Sequence, residues 1–516
     1  MTAVADREAS APDFDLAVIG SSFSGSLTAI IARRLGYRVL LLERGQHPRF
    51  AIGESSTPLA ALLWESLATR FDLPRLLPLA KWGTWQATYP KIGCGLKRGF
   101  TFLHHRLDQG KTSSRDRENE LLVAASPNDS IADTHWYRPD FDQFLVQEAI
   151  SAGVEYVDRT EITNWQRGSA FHRLTGTQLG VPVVFTSRWL VDATGPRGFA
   201  HRHLDLHETS FTGYPQTEAH FSHFRQVDRW DETFPLPGEP PYPLDDAALH
   251  HVFEDGWMWV LRFNNGITSA GFALKKEAAS QGSIPLEQRW KRRLERLPQV
   301  ARQFQRAIPI RRFESTPQLS YRANSAVGER FVLLPMAAGF VDPLLSTGFP
   351  LTLLGIERLS ESWARHGLDT PISHYEEETF GDLDATAALI GTLYASLDRP
   401  RVFQSLSMLY FAAASYTETA RRLGRPALAP GFLLRKHPSF GPGTLECLRL
   451  ARQGHSDAVD SRVKQVIEPF NIAGLADPAK ANWYPARASD LYSGCEKLKS
   501  TPGEISEMLQ RAGFAE

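Results

Sequence analysis

DLAVIGSSFSGSLTAIIARRLGYRVLLLERGQHPRFAIGE, residues 15–54, is the stretch whose reading decides the fold. Leu16 to Ile19 is a short apolar run of the kind found in buried parallel strands. It runs into Gly20-Ser21-Ser22-Phe23-Ser24-Gly25, after which Ser26 to Leu35 has the small and aliphatic spacing of a helix. Arg38 to Leu42 is a second apolar strand, closed by Glu43 and Arg44. Strand, glycine turn, helix and strand together make a βαβ dinucleotide-binding unit. Gly20 permits the tight turn and Gly25 lets helix pack on strand. Ser22, Phe23 and Ser24 complete a turn whose free N–H groups and helix dipole favour a pyrophosphate. Glu43, twenty-three residues after Gly20, stands where an acid accepts hydrogen bonds from an adenosine ribose. Ser22 replaces the middle glycine of G-x-G-x-x-G. Its Cβ should hinder close approach of the phosphates, while its hydroxyl offers them a donor.

The whole chain bounds the partners. At 516 residues, two or three lobes and a sizeable core are expected. The net charge of −1, with both signs abundant, argues against nucleic acid or an anionic membrane as the main partner. Cys94, Cys447 and Cys495 are scattered without a CxxC pair, which points to a reducing cytoplasm with neither structural disulfides nor a cysteine-ligated metal. No apolar run reaches the roughly eighteen residues of a membrane span. The polar start MTAVADREASAPD reads as a frayed tail and not as a signal peptide.

Ser55-Ser56-Thr57-Pro58 reads as a helix cap leading into Leu59 to Phe71. Trp82 to Phe102, rich in Gly, aromatic and β-branched residues, reads as paired strands. Simple alternation there puts Lys97 on one face and Leu96, Arg98 and Phe100 on the other. Residues 106 to 130 read as a polar loop, Phe141 to Ser151 as a helix opened by Pro139, and Val154 to Thr186 as strands with short turns. Trp189 to Asp192 and Phe331 to Leu334 are further buried strands. Residues 205–320 read as a mostly β lobe with strands His250 to Phe253, Trp257 to Phe263 and Ile267 to Leu274 and a charged helix Leu286 to Leu297. From about residue 370 the pattern is helical. The expected fold class is therefore α/β with two lobes: a Rossmann-type nucleotide lobe assembled from 14–204 and 321–369, an inserted β-rich lobe over 205–320, and a helical C-terminal region over 370–516.

One βαβ unit calls for one dinucleotide, and the discontinuous layout resembles the FAD-dependent aromatic monooxygenase fold. Phe340-x-x-Pro343-x-x-Ser346-x-Gly348 resembles the F-x-x-P-x-x-S-x-G signature of flavin-dependent halogenases. Gln46 to Glu54 and His251-Val-Phe-Glu-Asp-Gly-Trp257-Met-Trp259 are similar to that family too, in particular to its phenolic branch. The resemblance implies FAD used as FADH₂, supplied by a separate NADH-dependent flavin reductase. It also implies oxidation of chloride or bromide by O₂ to hypohalous acid, and relay of the halogen by a lysine to an electron-rich ring, free or tethered to a carrier protein. By position that lysine is Lys97, with Lys81 and Lys91 as competitors. A buried ammonium loses solvation, so its pKa falls and it can serve as donor or nucleophile. The same resemblance makes Thr347 and Gly348 the halide site, sets Met336 and Phe349 against the flavin, and places Arg138 near the phosphates or ribityl chain. On the residues alone, Lys97 is a strand-end lysine, Thr347-Gly348 a helix cap, and the Trp pair core packing.

Three departures from the family pattern matter. Leu345 stands where tryptophan halogenases carry a glutamate, which favours a phenol able to shed its own proton. The Trp motif ends Val260-Leu261-Arg262 in place of x-I-P, which leaves direct hydroxylation open as an alternative activity. Pro335-Met336-Ala337 replaces the Gly-Asp-Ala of related hydroxylases, removing a ribityl-binding carboxylate and predicting, with Ser22, modest FAD affinity. That weakening also keeps open a non-catalytic flavoprotein.

Overall fold

The computed structural model describes residues 11–109, 117–204, 206–276, 284–369, 372 and 374–514. Most of the expected N-terminal tail and residues 110–116 of the expected loop lie outside these. The nucleotide lobe opens with β1 (Phe14–Ile19), α1 (Phe23–Arg34) and β2 (Val39–Leu42). There follow α2 (Pro58–Arg70), α3 (Trp82–Thr88), β3 (Cys94–Lys97), β4 (Gly99–His104), β5 (Glu120–Ala124), β6 (Asp133–Trp136), α4 (Arg138–Ser151), β7 (Glu155–Val157), β8 (Thr160–Arg167), β9 (His172–Gln178) and β10 (Val181–Asp192). β1 lies at the centre of a parallel core, with β2 and then β7 on one side and β10 and then the strand Phe331–Leu333 on the other. All four residues of β2 are buried, as a strand covered on both faces requires. α2 is capped as expected: the Thr57 hydroxyl oxygen accepts from the Ala60 N–H.

A nine-stranded sheet forms the second layer. Its centre is antiparallel, with Thr217–Arg225 beside Thr268–Lys275, then Gly256–Arg262, then Ala248–Phe253. The sheet is not confined to the inserted segment. β4 adds parallel to Ala248–Phe253, β5 adds to β4, and Trp483–Tyr484 adds to β5. Beyond Gly348–His366 the chain packs as helices, chiefly Tyr375–Tyr394, Pro400–Arg422, Phe440–Arg452, Ser456–Ile467 and Pro502–Ala512.

Three local expectations are corrected. Trp82–Thr88 is a helix, because Trp82, Trp85 and Tyr89 recur at spacings of three and four and bring the buried Trp85 indole to the Ile92 carbonyl. β3 and β4 do not pair with each other: β3 pairs with β6 in a separate two-stranded sheet. The chain changes sheets at Arg98, whose N–H bonds the Asp246 carbonyl, so alternation breaks and Phe100 comes round to the side of Lys97. The expected loop 106–130 contains β5, whose middle residues are buried between β4 and Trp483–Tyr484.

Candidate functional site

The turn after β1 is shaped by its glycines. Gly20 has φ +97°, and a Cβ there would fall 2.9 Å from the Ala193 carbonyl oxygen. A Cβ on Gly25 would lie 1.8 Å from the Gly20 oxygen, so α1 can approach β1 only with glycine at that position. The turn borders a cleft of ≈ 440 Å³ that also touches Phe23, Ser22, Ser24, Glu43, Arg44, Arg138 and Met336. Glu43 is buried at its edge, where Ser21 N–H and hydroxyl, Gly45 N–H and Arg49 all donate to it. Burial pushes its carboxyl up, but Arg49 and these donors outweigh that and hold it below the usual carboxylate range. Arg138 reaches the cleft with its charge already matched: it forks onto Asp142 at 2.7 and 2.9 Å and donates to the Gly53 carbonyl at 2.9 Å. It anchors the 50–54 segment as well as lining the cleft.

Phe23, Ile52, Arg138, Pro196 and Met336 border both this cleft and a second cavity of ≈ 240 Å³, so the two adjoin. The second cavity is walled by aromatic rings. Phe349 packs at 4.2 Å on Trp136, and Trp257 and Trp259 present one face of their strand. A Cβ on Gly271 would sit 2.2 Å from the Trp259 ring, so the neighbouring strand carries glycine where Trp259 is seated. A polar cleft at a helix N-terminus beside an apolar, aromatic-walled chamber suits a dinucleotide that carries a fused ring system, and the glycine cradle admits its phosphates.

The far end of the second cavity is the turn before Gly348–His366. Leu345 and Ser346 have φ of 65° and 54°, a left-handed pair held in place from below by Asp342. The Asp342 carboxylate accepts from Leu344 N–H, Tyr214 hydroxyl and Tyr394 hydroxyl, each at 2.9 Å, and Tyr394 in turn accepts from the Trp257 indole at 3.0 Å. Burial pushes the Asp342 carboxyl up to about 6 against these donors. Thr347 is buried and makes no side-chain cap bond, and Gly348 lines the cavity. Met336 is fixed through its carbonyl, which accepts from the Tyr321 hydroxyl.

Lys97 is 0% exposed. Its ammonium donates to Ser55 Oγ at 2.9 Å, to the Ser56 carbonyl and to Ser346 Oγ at 3.3 Å, and lies 3.9 Å from the centre of the Phe100 ring. Burial lowers its pKa from 10.5 to about 7, against the upward pull of the Asp133 carboxylate. Asp133 stands directly opposite Lys97 in the β3–β6 pair, and burial pushes its carboxyl well above the carboxylate range against the opposing pull of Lys97. Ser55 and Ser346 border the aromatic-walled chamber, whereas Phe100 and Asp133 border a third cavity of ≈ 180 Å³ between β4, β5 and the helices Pro400–Arg422 and Pro502–Ala512. Lys97 thus stands in the partition between two chambers. Lys81 sits on the rim of the third cavity, 3.3 Å from Glu65 and donating to the Ala512 carbonyl, and Lys91 is exposed. Sequence reasoning did not find Asp133, Asp342 or Ser55. Asp342 lies inside the Phe340–Pro343 motif and was within reach; a lone aspartate at the start of a strand carries no local signal.

Together these features define a flavoprotein of the aromatic monooxygenase architecture with a lysine between two chambers. The chain belongs to the tryptophan halogenase family, whose family model matches residues 132–401. It is 30% identical over 353 residues to monodechloroaminopyrrolnitrin halogenase PrnC of Pseudomonas fluorescens, covering 67% of this chain and 61% of PrnC. It is 29% identical over 418 residues to tetracycline 7-halogenase of Kitasatospora aureofaciens, covering 78% and 73%. Among solved structures, halogenase PltM superposes with a TM-score of 0.78 at 25% identity over 88% of this chain and 94% of PltM. PltM in complex with phloroglucinol and FAD gives 0.82 at 23% over 91% and 99%. Among the described residues no helix is long and apolar enough to cross a membrane.

Proposed function

We propose that the chain is an FADH₂-dependent halogenase that chlorinates or brominates an electron-rich phenolic ring. The observation that carries this is the placement of Lys97, wholly buried between a chamber that adjoins the nucleotide cleft and a third cavity. Gly20, Ser22, Phe23, Ser24 and Gly25 would hold the FAD pyrophosphate, Glu43 and Arg44 the adenosine, Arg138 and Met336 the middle, and Phe349 the flavin ring. FAD held there, reduced by a separate NADH-dependent flavin reductase, would supply with O₂ the two-electron oxidation of halide to hypohalous acid. The N–H groups of Thr347 and Gly348 would hold the halide at a helix N-terminus, where donors and dipole favour an anion. Trp257 and Trp259 wall that chamber and keep an aromatic substrate out of it. Lys97 donates a proton to the oxygen of hypohalous acid, which makes the halogen electrophilic toward a ring in the third cavity. Leu345 leaves no carboxylate in the turn, which suits a ring that carries its own activating hydroxyl, as does the phloroglucinol bound by PltM.

The test is product analysis with flavin reductase, NADH, FAD, halide and a panel of free and carrier-bound phenols. Wild type should give products with a halogen isotope pattern. Lys97→Ala should give none while hypohalous acid can still be trapped in solution. Absence of halogenated product from wild type, full activity in Lys97→Ala, or oxygenated product formed independently of halide would overturn the proposal.

A further inference from the structure

We propose that Asp133 is the proton acceptor for the substrate hydroxyl in the third cavity and works with Lys97 as a pair. The inference rests on the halogenase reading above and names the group that activates the ring.

Four observations point to it. Asp133 and Lys97 are directly cross-strand partners in an antiparallel pair, so their side chains leave the same face of the two-stranded sheet. Asp133 lines the third cavity beside Phe100, the ring under the Lys97 ammonium, so it borders the place a substrate must occupy to meet a halogen held by Lys97. Its Oδ2 is buried with no hydrogen-bond partner, and the carboxyl forms no ion pair among the described residues. An unpaired buried carboxyl costs several kcal/mol, and a fold retains one chiefly where it acts. Of the other charged groups lining this cavity, Arg422 bridges Glu418 at 2.8 Å and Glu65 at 3.2 Å, Lys81 is held by Glu65, and Arg487 is exposed at the rim. Lys97 from β3, Glu65 from α2, and Glu418 and Arg422 from Pro400–Arg422 are the charges that Asp133 feels.

The step balances. The step starts from the form in which the proton shared by the pair sits on Lys97 and Asp133 is ionised; the phenol O–H bond then breaks, its proton passes to Asp133 and its electron pair moves into the ring. The ring carbon bonds to the halogen of hypohalous acid. The oxygen–halogen bond breaks with its pair on oxygen, which takes a proton from the Lys97 ammonium and leaves as water. The ring C–H proton then passes to the neutral Lys97 amine, and Asp133 returns its proton to the ring oxygen. Halogen has been reduced by two electrons, the ring oxidised by two, and both side chains are restored.

Asp133→Asn keeps shape and removes the base. Its kcat/KM should fall about 100-fold or more on a phenol that is un-ionised at the assay pH. On a fluorinated phenol acidic enough to be ionised already, the fall should be less than about tenfold. Asp133→Glu, which keeps a carboxyl, should preserve the wild-type ratio between the two phenols. Equal fractional losses of Asp133→Asn on both phenols would mean a merely structural residue and overturn the inference, as would no loss. Wild type that releases trappable hypohalous acid but halogenates neither phenol would instead sink the halogenase reading itself.

Discussion

Replacing Lys97 by Met should abolish halogenation and yet stabilise the protein. The ammonium is fully buried and its pKa falls from 10.5 to about 7. At about 1.4 kcal/mol per pH unit this is a burial cost of roughly 5 kcal/mol. Met fills nearly the same volume and removes that cost. It also removes three hydrogen bonds, to Ser55, Ser56 and Ser346, each contributing about 1 kcal/mol net. The balance is a stabilisation of about 2 kcal/mol at neutral pH. The sign depends on pH in a specific way. Between about pH 7 and 10.5 the unfolded chain binds a proton at this lysine that the folded chain does not, so wild-type stability rises with pH across that window. Below about pH 7 the full cost is present; above pH 10.5 it is gone. Melting temperatures of wild type and Lys97→Met measured from pH 6.5 to 10 should therefore cross at about pH 8–9, with the variant higher at the acid end and wild type higher at the alkaline end. A wild type more stable than the variant at pH 7, or a gap that does not change with pH, would refute the reasoning.

Ser22→Gly restores the middle glycine of the phosphate turn, and by removing a Cβ from the cleft it should tighten FAD binding severalfold in a fluorescence titration. Gly271→Ala sets a methyl 2.2 Å from the Trp259 ring; it should cost about 1–3 kcal/mol by overpacking and admit larger rings to the aromatic-walled chamber, read as oxygenated side products. Asp342 has a carboxyl raised to about 6, so the folded state holds its proton more tightly and this contribution to stability, full below about pH 4, is lost as pH rises to 6. Asp342→Asn should flatten that slope in a pH series of denaturation midpoints and weaken halide dependence, seen as a raised KM for chloride.

The dinucleotide unit was legible because each of its requirements is local: an apolar run, two glycines that no other residue can replace, an acid at a fixed distance. The central strands of the second sheet were legible for the same reason, since alternation and short turns mark 248–275. The helix Trp82–Thr88 is masked by its Gly- and aromatic-rich composition, which points to strand, while only the three-and-four spacing of its aromatics points to helix. Alternation puts Lys97 and Phe100 on opposite faces because it presumes one continuous strand, whereas Arg98 hands the chain from one sheet to another. Asp133 was invisible since its meaning comes only from pairing across thirty-six residues with Lys97. Nor could a sequence show that β4 and β5 would complete a sheet begun far downstream.

The carboxylate of Asp342 ties together segments that lie far apart along the chain: Tyr214 ahead of the large sheet, Trp257 within it through Tyr394, and the last turn of Tyr375–Tyr394. The C-terminal helices are therefore fastened to the loop they flank and cannot be treated as an exchangeable module. Grafting that region from a relative to alter selectivity would loosen the loop at Ser346 unless the graft kept a tyrosine at the position of Tyr394.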